Sequence, residues 1–412
     1  MALHYIWVGF FLVAFVVAFI RFAVTGDTEI FRMVIDSTFS SSKSAVMDIA
    51  LPLTGVMVLW LGLMNIGERA GAINFLSRIV GPFFVRLFPE LPRNSPVFGQ
   101  MLMNFSANML GLDNAATPLG LKAMQGLQDE NLRKDTASNA QIMFLAINTS
   151  GLTIVPVSIL AQRAILGAAN PTDIFIPVLI ATAFSTLTAI VVVALRQRIH
   201  LFDPVMVAWI GGIIAAIGAL TWWIGSLDKE QIELVSKVGS NLLLILVIGA
   251  FIAGALFRKV NVYEAFIDGA KNGFDVTIKI IPYLVGMLVG IAVFRASGAM
   301  DYIIGGLAWL IGVMGLNTDF VAALPTAFMK PLSGSGAKAM MVETMQHYGP
   351  DSFVGRLSCL FQGAADTTFY ILALYFGSAG IRKTRYAVTA GLIADLAGVI
   401  AAILLAYLFF VP

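Results

Sequence analysis

The sequence is poor in the residues that soluble chemistry relies on. It has one cysteine, Cys359, and three histidines in 412 residues. A single thiol cannot close an internal disulfide, and neither CxxC nor HExxH occurs, so the usual zinc sites are excluded. No Walker A pattern is present, so the chain carries no phosphate-cradling loop of its own. Charged residues make up only 12%, against roughly 25% in an ordinary soluble domain. The net charge of +2 gives nucleic-acid binding no electrostatic support. No catalytic dyad or metal cluster stands out, and an enzyme is not expected.

What is abundant is apolar: 58% of the chain, with a mean hydropathy of +0.87. A soluble interior cannot hide that much apolar surface, so the expected solvent is lipid. Nine long apolar runs read as spans: Tyr5–Val24, Val46–Ile66, Ser138–Arg163, Asp173–Leu195, Val205–Ile224, Gly239–Leu256, Asp275–Phe294, Ser352–Phe376 and Tyr386–Val411. The first lacks a preceding Lys or Arg and is read as a retained span rather than a cleaved signal. Ala72–Phe88 and Asp301–Leu316 are too short to cross comfortably; the former, with Arg78 and Arg86, suits the membrane interface. Pro96–Gly126 and Asp319–Met345 are apolar but interrupted by Gly, Pro, Ser and Asn. Their length fits a re-entrant helical hairpin better than two crossings.

Charge placement orients these elements. With Glu68–Asn94 placed in the cytoplasm, the loops on that side hold fourteen Lys or Arg, among them Arg69, Arg133, Arg196, Arg258 and Arg382. The opposite loops hold four: Arg32, Lys43, Lys229 and Lys237. This positive-inside bias puts the N-terminus in the cytoplasm and the C-terminus outside.

A repeat of about 230 residues is visible. Lys43-Ser44…Pro52 is echoed by Lys271-Asn272…Pro282, and Gly71-Ala72-Ile73-Asn74 by Gly298-Ala299-Met300-Asp301. Met103-Asn104 meets Met329-Lys330, and Asn148-Thr149-Ser150 meets Asp366-Thr367-Thr368. An odd number of spans separates the two copies, so the second enters from the opposite side. Inverted repeats of this kind mark transporters. The expected fold is an all-α polytopic membrane protein of two inverted repeats with re-entrant hairpins and broken transmembrane helices. Its parts are an N-terminal membrane helix and loop (1–42), a first repeat (43–200), connecting membrane helices (201–262) and a second repeat (263–412).

Candidate site residues lie where apolar segments are interrupted. In the first hairpin Asn104 and Asn108 share a helical face, Gly111 permits the reversal, and Asp113 or Asn114 can cap the returning helix. In the second, Ser333-Gly334-Ser335-Gly336 opens a new helix whose free N–H groups favour an anionic or hydroxyl group. Lys330 either adds a cation there or snorkels to headgroups. Asn148, Thr149, Ser150 and Gly151 interrupt one long span, and Gly363 to Thr368 the other. Asp366 falls some fourteen residues into its span, near the midplane, where an ionisable residue is a functional hypothesis by default. A structural role, pairing with Lys330 or capping the next half-helix, is the alternative. Na⁺ near Asp366 and Asn148, or H⁺, is expected as coupling ion; no other cofactor is.

Asn108 to Met124 resembles the hallmark of spore maturation protein A, and Gln362 to Gly377, with Asp366-Thr367-Thr368-Phe369-Tyr370, that of spore maturation protein B. The chain resembles a fusion of the two, each half similar to the nucleoside-recognition, or gate, domain also found in concentrative nucleoside and ferrous-iron transporters. The sequence departs from that pattern at Asp113, where a small residue is expected, and at Asp366, where Glu is usual. The resemblance implies a multi-pass protein of a bacterial inner membrane that moves a small polar solute, nucleoside-like or an amino acid. The rival expectation is a non-transporting membrane protein that supports spore or envelope maturation. Lipid and the solute are the expected partners, nucleic acid is not, and assembly as a homo-oligomer stays open.

Overall fold

The computed structural model describes residues 2–92, 95–111, 113–227 and 229–410, except for the side chains of some helical residues, Asp113 and Asn114 among them. The described chain is helical, and its β pairing is a single bridge between Thr136 and Lys383. Helix α1 (Ala2–Thr25) is followed by α2 (Glu29–Ser44), which runs through a π-helical turn (Ala45–Ala50) into α3 (Leu51–Arg69). Pro52 offers no N–H to the preceding turn, and the wide π turn just before it absorbs that loss without ending the helix. Glu29–Arg69 is therefore one continuous helix of 41 residues. The stretch before Lys43, read from sequence as a loop, is its first part.

The chain continues with α4 (Ala72–Arg86), α5 (Val97–Met109), α6 (Asp113–Asp129), α7 (Asn139–Ser150), α8 (Val157–Ile165) and α9 (Phe175–Gln197). Next come α10 (Pro204–Gly225), α11 (Lys229–Phe257), α12 (Val262–Ala296) and α13 (Ala299–Val313). The last five are α14 (Leu324–Met329), α15 (Gly334–Tyr348), α16 (Phe353–Gly363), α17 (Thr368–Ser378) and α18 (Ala387–Phe410). The order long helix, glycine corner, short helix, helix–turn–helix, interrupted helix, long helix occurs twice. Both corners are left-handed glycines, Gly71 (φ +82°) and Gly298 (φ +88°), a conformation costly for any residue with a Cβ.

Among the described residues six helices are long and apolar enough to cross a membrane, or seven if the pair Leu284–Ala296 and Ala299–Val313, bent by 73°, counts as one span. That is fewer than the nine spans read from sequence, because Ser138–Arg163 is broken into α7 and α8 and Asn241–Phe257 is a shorter apolar helix. Large apolar side chains such as Phe19, Trp222, Leu246, Trp309 and Leu404 point outward. In water that surface would be prohibitive; in lipid it is the expected exterior. The chain is a multi-pass membrane protein.

Equivalent helices of the two halves pack against each other antiparallel. Along α3 and α12, Asn65 donates to the Ala265 carbonyl at 2.5 Å and Arg69 pairs with Asp268 at 2.7 Å. Gly273 sits so close to Val58 that an added Cβ would come 2.7 Å from its backbone nitrogen. Along α9 and α18, Ser185 donates to the Ala394 carbonyl at 3.0 Å, while Arg196 lies over the Tyr386 ring near one end. Small residues let these backbones approach, as packing within lipid requires.

The loops rich in Arg and Lys converge on one face. Ala137 donates to the Lys383 carbonyl, Lys383 pairs with Asp135 at 3.0 Å, and Arg86 pairs with Asp203 at 2.7 Å.

Candidate functional site

An interrupted helix leaves orphan amides and carbonyls at both broken ends, and each must find a partner away from water. Here they find one another. Gly151 (φ +58°) stops α7, and the carbonyl of Thr149 accepts from the amide of Asp366 at 2.7 Å. The break between α7 and α8 is thus joined to the break between α16 and α17. The turn of each helix–turn–helix docks onto the break of its own half. Ile154 donates to the Met109 carbonyl at 2.6 Å, and Gly111 (φ +69°) lies where an added Cβ would be 2.7 Å from the Val155 oxygen. In the second half, Phe369 in the first turn of α17 donates to the Pro331 carbonyl at 3.0 Å. Gly334 there faces the Thr367 hydroxyl, 2.7 Å from a Cβ placed on it.

A cavity of about 370 Å³ opens where the two turns and two breaks meet. Its polar wall includes Asn108, Thr117, Asn148, Thr153, Lys330, Lys338, Gln362, Asp366 and the tyrosines Tyr370 and Tyr375; Met57, Leu61, Met64 and Leu374 supply apolar surface. Asn108 donates to Asn148 Oδ1 at 2.8 Å, and Asn148 donates to the Phe144 carbonyl at 2.8 Å, so the two amides form a short chain crossing from α5 to α7. Asp366 is exposed at the wall, and its Oδ1 accepts from the amide of Thr367 at 2.7 Å. Lys330 is only 8% exposed, which places its charge inside the protein rather than among headgroups.

Of the residues singled out from sequence, Asn108, Asn148, Lys330 and Asp366 meet at the cavity. The others whose side chains are described stand behind it. Asn104 is fully buried; it donates to the Ala116 carbonyl at 2.8 Å and lies 3.5 Å from the Tyr375 hydroxyl, tying α5 to α6 and to α17. Thr149 and Ser150 turn their hydroxyls back to the carbonyls of Ala146 and Ile147 within α7. Ser333 caps α15 through the amide of Gly336 at 3.0 Å, and Ser335 lies 3.3 Å from Ser333. Thr367 is buried beside Gly334, and Thr368 donates to Asp395 at 2.7 Å. The side chains of Asp113 and Asn114 lie outside the described residues. Among those described, no group of three or more His, Cys, Asp or Glu is placed to hold a metal ion.

Two features escaped the sequence reading. Asp395 is the only charged residue of α18, and that isolation was its available signal. The second is a buried ionic cluster. Arg163, fully buried at the end of α8, donates to the carbonyls of Pro171, Asn170 and Pro350 and to the carboxylates of Asp173 and Asp351. Arg356 on α16 also donates to Asp173, at 2.8 Å. Burial pushes the Asp173 carboxyl up even though both guanidiniums oppose it. Read singly along the chain, neither arginine announces a partner.

The nucleoside recognition (gate) family matches residues 50–166 and 277–382, more than half of the chain, with one matched segment in each copy of the repeated order of elements. The chain belongs to the nucleoside-recognition family. It is 42% identical to spore maturation protein B of Bacillus subtilis (strain 168) over 178 residues, 43% of this chain and 98% of that relative. It is 41% identical to spore maturation protein A of the same organism over 157 residues, 38% of this chain and 80% of that relative. No solved structure matches the chain.

Proposed function

We propose that this chain is a secondary transporter of a small polar solute, nucleoside-like or an amino acid, driven by Na⁺ or H⁺, with the two family-matched segments forming inverted halves around one site. The observation that carries the reading is the cavity at the joined breaks, which sets a carboxylate, two lysines, three amides and two phenols around about 370 Å³. Ligand pockets for small molecules fall in the same range of roughly 300–1,000 Å³. A scaffold has no use for such groups at the centre of a membrane protein, where polar side chains are expensive. The antiparallel packing of α3 on α12 and of α9 on α18 supports the inverted arrangement. The two helix–turn–helix units are then re-entrant hairpins. Alternating access moves one half against the other about the breaks.

Asp366, Asn108, Asn148 and Lys330 are the solute- and ion-contacting residues of this reading; Asn104, Thr149, Ser150, Ser333, Ser335, Thr367 and Thr368 shape the wall from behind. The positive-inside rule places the face of Arg69, Arg133 and Lys383 in the cytoplasm of a bacterial inner membrane. No catalytic step is assigned to the chain. Purified protein in liposomes, screened for uptake of radiolabelled nucleosides and amino acids under imposed Na⁺ or H⁺ gradients, tests the proposal. Accumulation of one class above the protein-free control supports it. The absence of uptake for every solute under either gradient favours instead a role in spore or envelope maturation without transport, the role the relatives' names suggest.

A further inference from the structure

Asp395 stands eight residues into α18, about 12 Å from its start at roughly 1.5 Å per residue. It is 5% exposed. Its Oδ2 accepts from the Thr368 hydroxyl at 2.7 Å, while Oδ1 is buried with no hydrogen-bond partner among the described residues. The packing around it is tight. A Cβ on Gly391 would come 2.7 Å from Thr368, and one on Gly398 would come 3.0 Å from the Ala364 carbonyl. An ionised carboxylate has acceptor sites for several donors. Holding one in a dry interior with a single hydroxyl donor costs far more than holding the neutral acid.

The charged surroundings are few. Among the described residues, Lys330 and Asp366, both at the cavity, are the charged groups that bear on it. Helix α7 has no titratable residue and presents Thr149 near Gly391. The only charge on α9, Arg196, lies over Tyr386 at one end of α18, and Arg356 of α16 lies over Phe410 at the other. Helix α17 carries only the phenols Tyr370 and Tyr375, and α11 has no charged residue between Asn241 and Phe257. Cys359, the remaining titratable group of α16, lies against Met345.

We propose that Asp395 is a proton-binding site set behind the cavity wall, and that its occupancy is coupled to the solute site through Thr368 and Lys330. Hydronium in the cavity is left there as water when its proton passes to the Asp395 carboxylate. When the proton departs again, the resulting carboxylate adds a second negative charge behind Asp366 and competes for the Lys330 cation. A solute carboxylate or phosphate on Lys330 withdraws that cation and so favours the protonated acid. Solute and proton therefore bind together, and by linkage each raises the affinity for the other. This coupling, unlike the proton site itself, rests on the transporter reading.

Infrared difference spectroscopy on the full chain in liposomes, titrated with acid and base, tests the site without any transport assay. A protonated-carboxyl C=O band is expected in the wild type at neutral pH, lost in Asp395→Asn and retained in Asp366→Asn. Absence of the band from the wild type, or its persistence in Asp395→Asn, overturns the proposal. Should Asp395→Asn fail to give monodisperse protein, Thr368→Val keeps the question open to decision. It removes the one donor to the carboxylate, so the band should survive to a proton concentration about tenfold lower, and an unmoved midpoint counts against the site. For the coupling, Asp395→Asn should retain downhill solute entry but lose at least tenfold in accumulation under a pH gradient. If the wild type moves no solute, the transporter reading fails while the infrared result still decides the site. If uptake follows Na⁺ and Asp395→Asn leaves it unchanged, the transporter reading stands and the coupling is wrong.

Discussion

The amide of Asp366 donates to the carbonyl of Thr149 at 2.7 Å, so the broken helix of one half closes its open end on the broken helix of the other. Part of each break is satisfied by the other rather than by its own helix, and the cavity forms at the place where they are joined. A shift of one half relative to the other must remake this bond, which puts the mechanical joint and the polar site in the same few residues.

Asp366→Asn keeps the size of the side chain and the acceptor for the Thr367 amide but removes the charge. It should insert and fold normally yet abolish gradient-driven accumulation in liposomes. If Asp366 only balances Lys330, the double variant Asp366→Asn, Lys330→Met should recover transport. Full accumulation by the single variant, or recovery by the double, reassigns Asp366 to a structural role.

Gly111 and Gly151 both need a positive φ and both abut backbone: the Val155 carbonyl in one case, the Asp366 amide in the other. Left-handed backbone costs an L-residue about 1–2 kcal/mol before any clash is counted. Gly111→Ala and Gly151→Ala should each lower the thermal midpoint in detergent by several degrees. Gly211→Ala, where an added Cβ meets nothing within 4 Å, is the control and should not.

Arg163→Met leaves Asp173 and Asp351 short of a guanidinium and three carbonyls short of a donor. Removing one partner of a buried ion pair typically costs about 3–5 kcal/mol, so this variant should be among the least stable single substitutions in a thermal-shift series. A change within the scatter of surface variants would show that the cluster contributes little.

Cys359 is fully buried, so a Cys359→Ala background is clean for labelling with added cysteines. A cysteine beside Lys383 should resist an impermeant thiol reagent added outside intact cells and react once the membrane is opened. One in the loop after α8, beside Asn170, should label from outside. The reverse pattern would invert the topology.

Lys383 donates to the Asp135 carboxylate and, with Thr136, holds it below the usual carboxylate range. A lowered carboxyl stabilises the folded form above its unfolded value and loses that contribution as pH falls through the lowered one. Protection of the Ala137 amide, which donates to the Lys383 carbonyl, should therefore weaken relative to its intrinsic exchange rate as the pH falls below the ordinary carboxylate range. Asp135→Asn should remove that acid dependence.

Much of this molecule was legible in one dimension, because the features concerned are local. Long apolar runs report the surrounding solvent residue by residue, and Gly111, Gly151 and Gly298 mark backbone that only glycine adopts cheaply. The helix–turn–helix units at Pro96–Gly126 and Asp319–Met345, and the interruptions after Ser150 and Gly363, lie where the polar and glycine punctuation placed them. The helix before Lys43 was less legible, because Ser37, Ser40, Ser41 and Ser42 read as loop while packing against α12 holds them helical.

Partnership is a different kind of information. Asn104 and Asn108 share a helical face, yet one is spent on Tyr375, 271 residues away, and the other on Asn148 at the cavity. Arg163 and Arg356 are unremarkable along the chain until the fold brings Asp173 and Asp351 between them. The amino-acid sequence by itself determined that this chain lives in lipid and where several of its helices break, but not how many helices cross. Only the tertiary structure decided which polar groups meet, because in a medium without water each must be satisfied by the protein, and its partner is set by whatever distant segment packs against it.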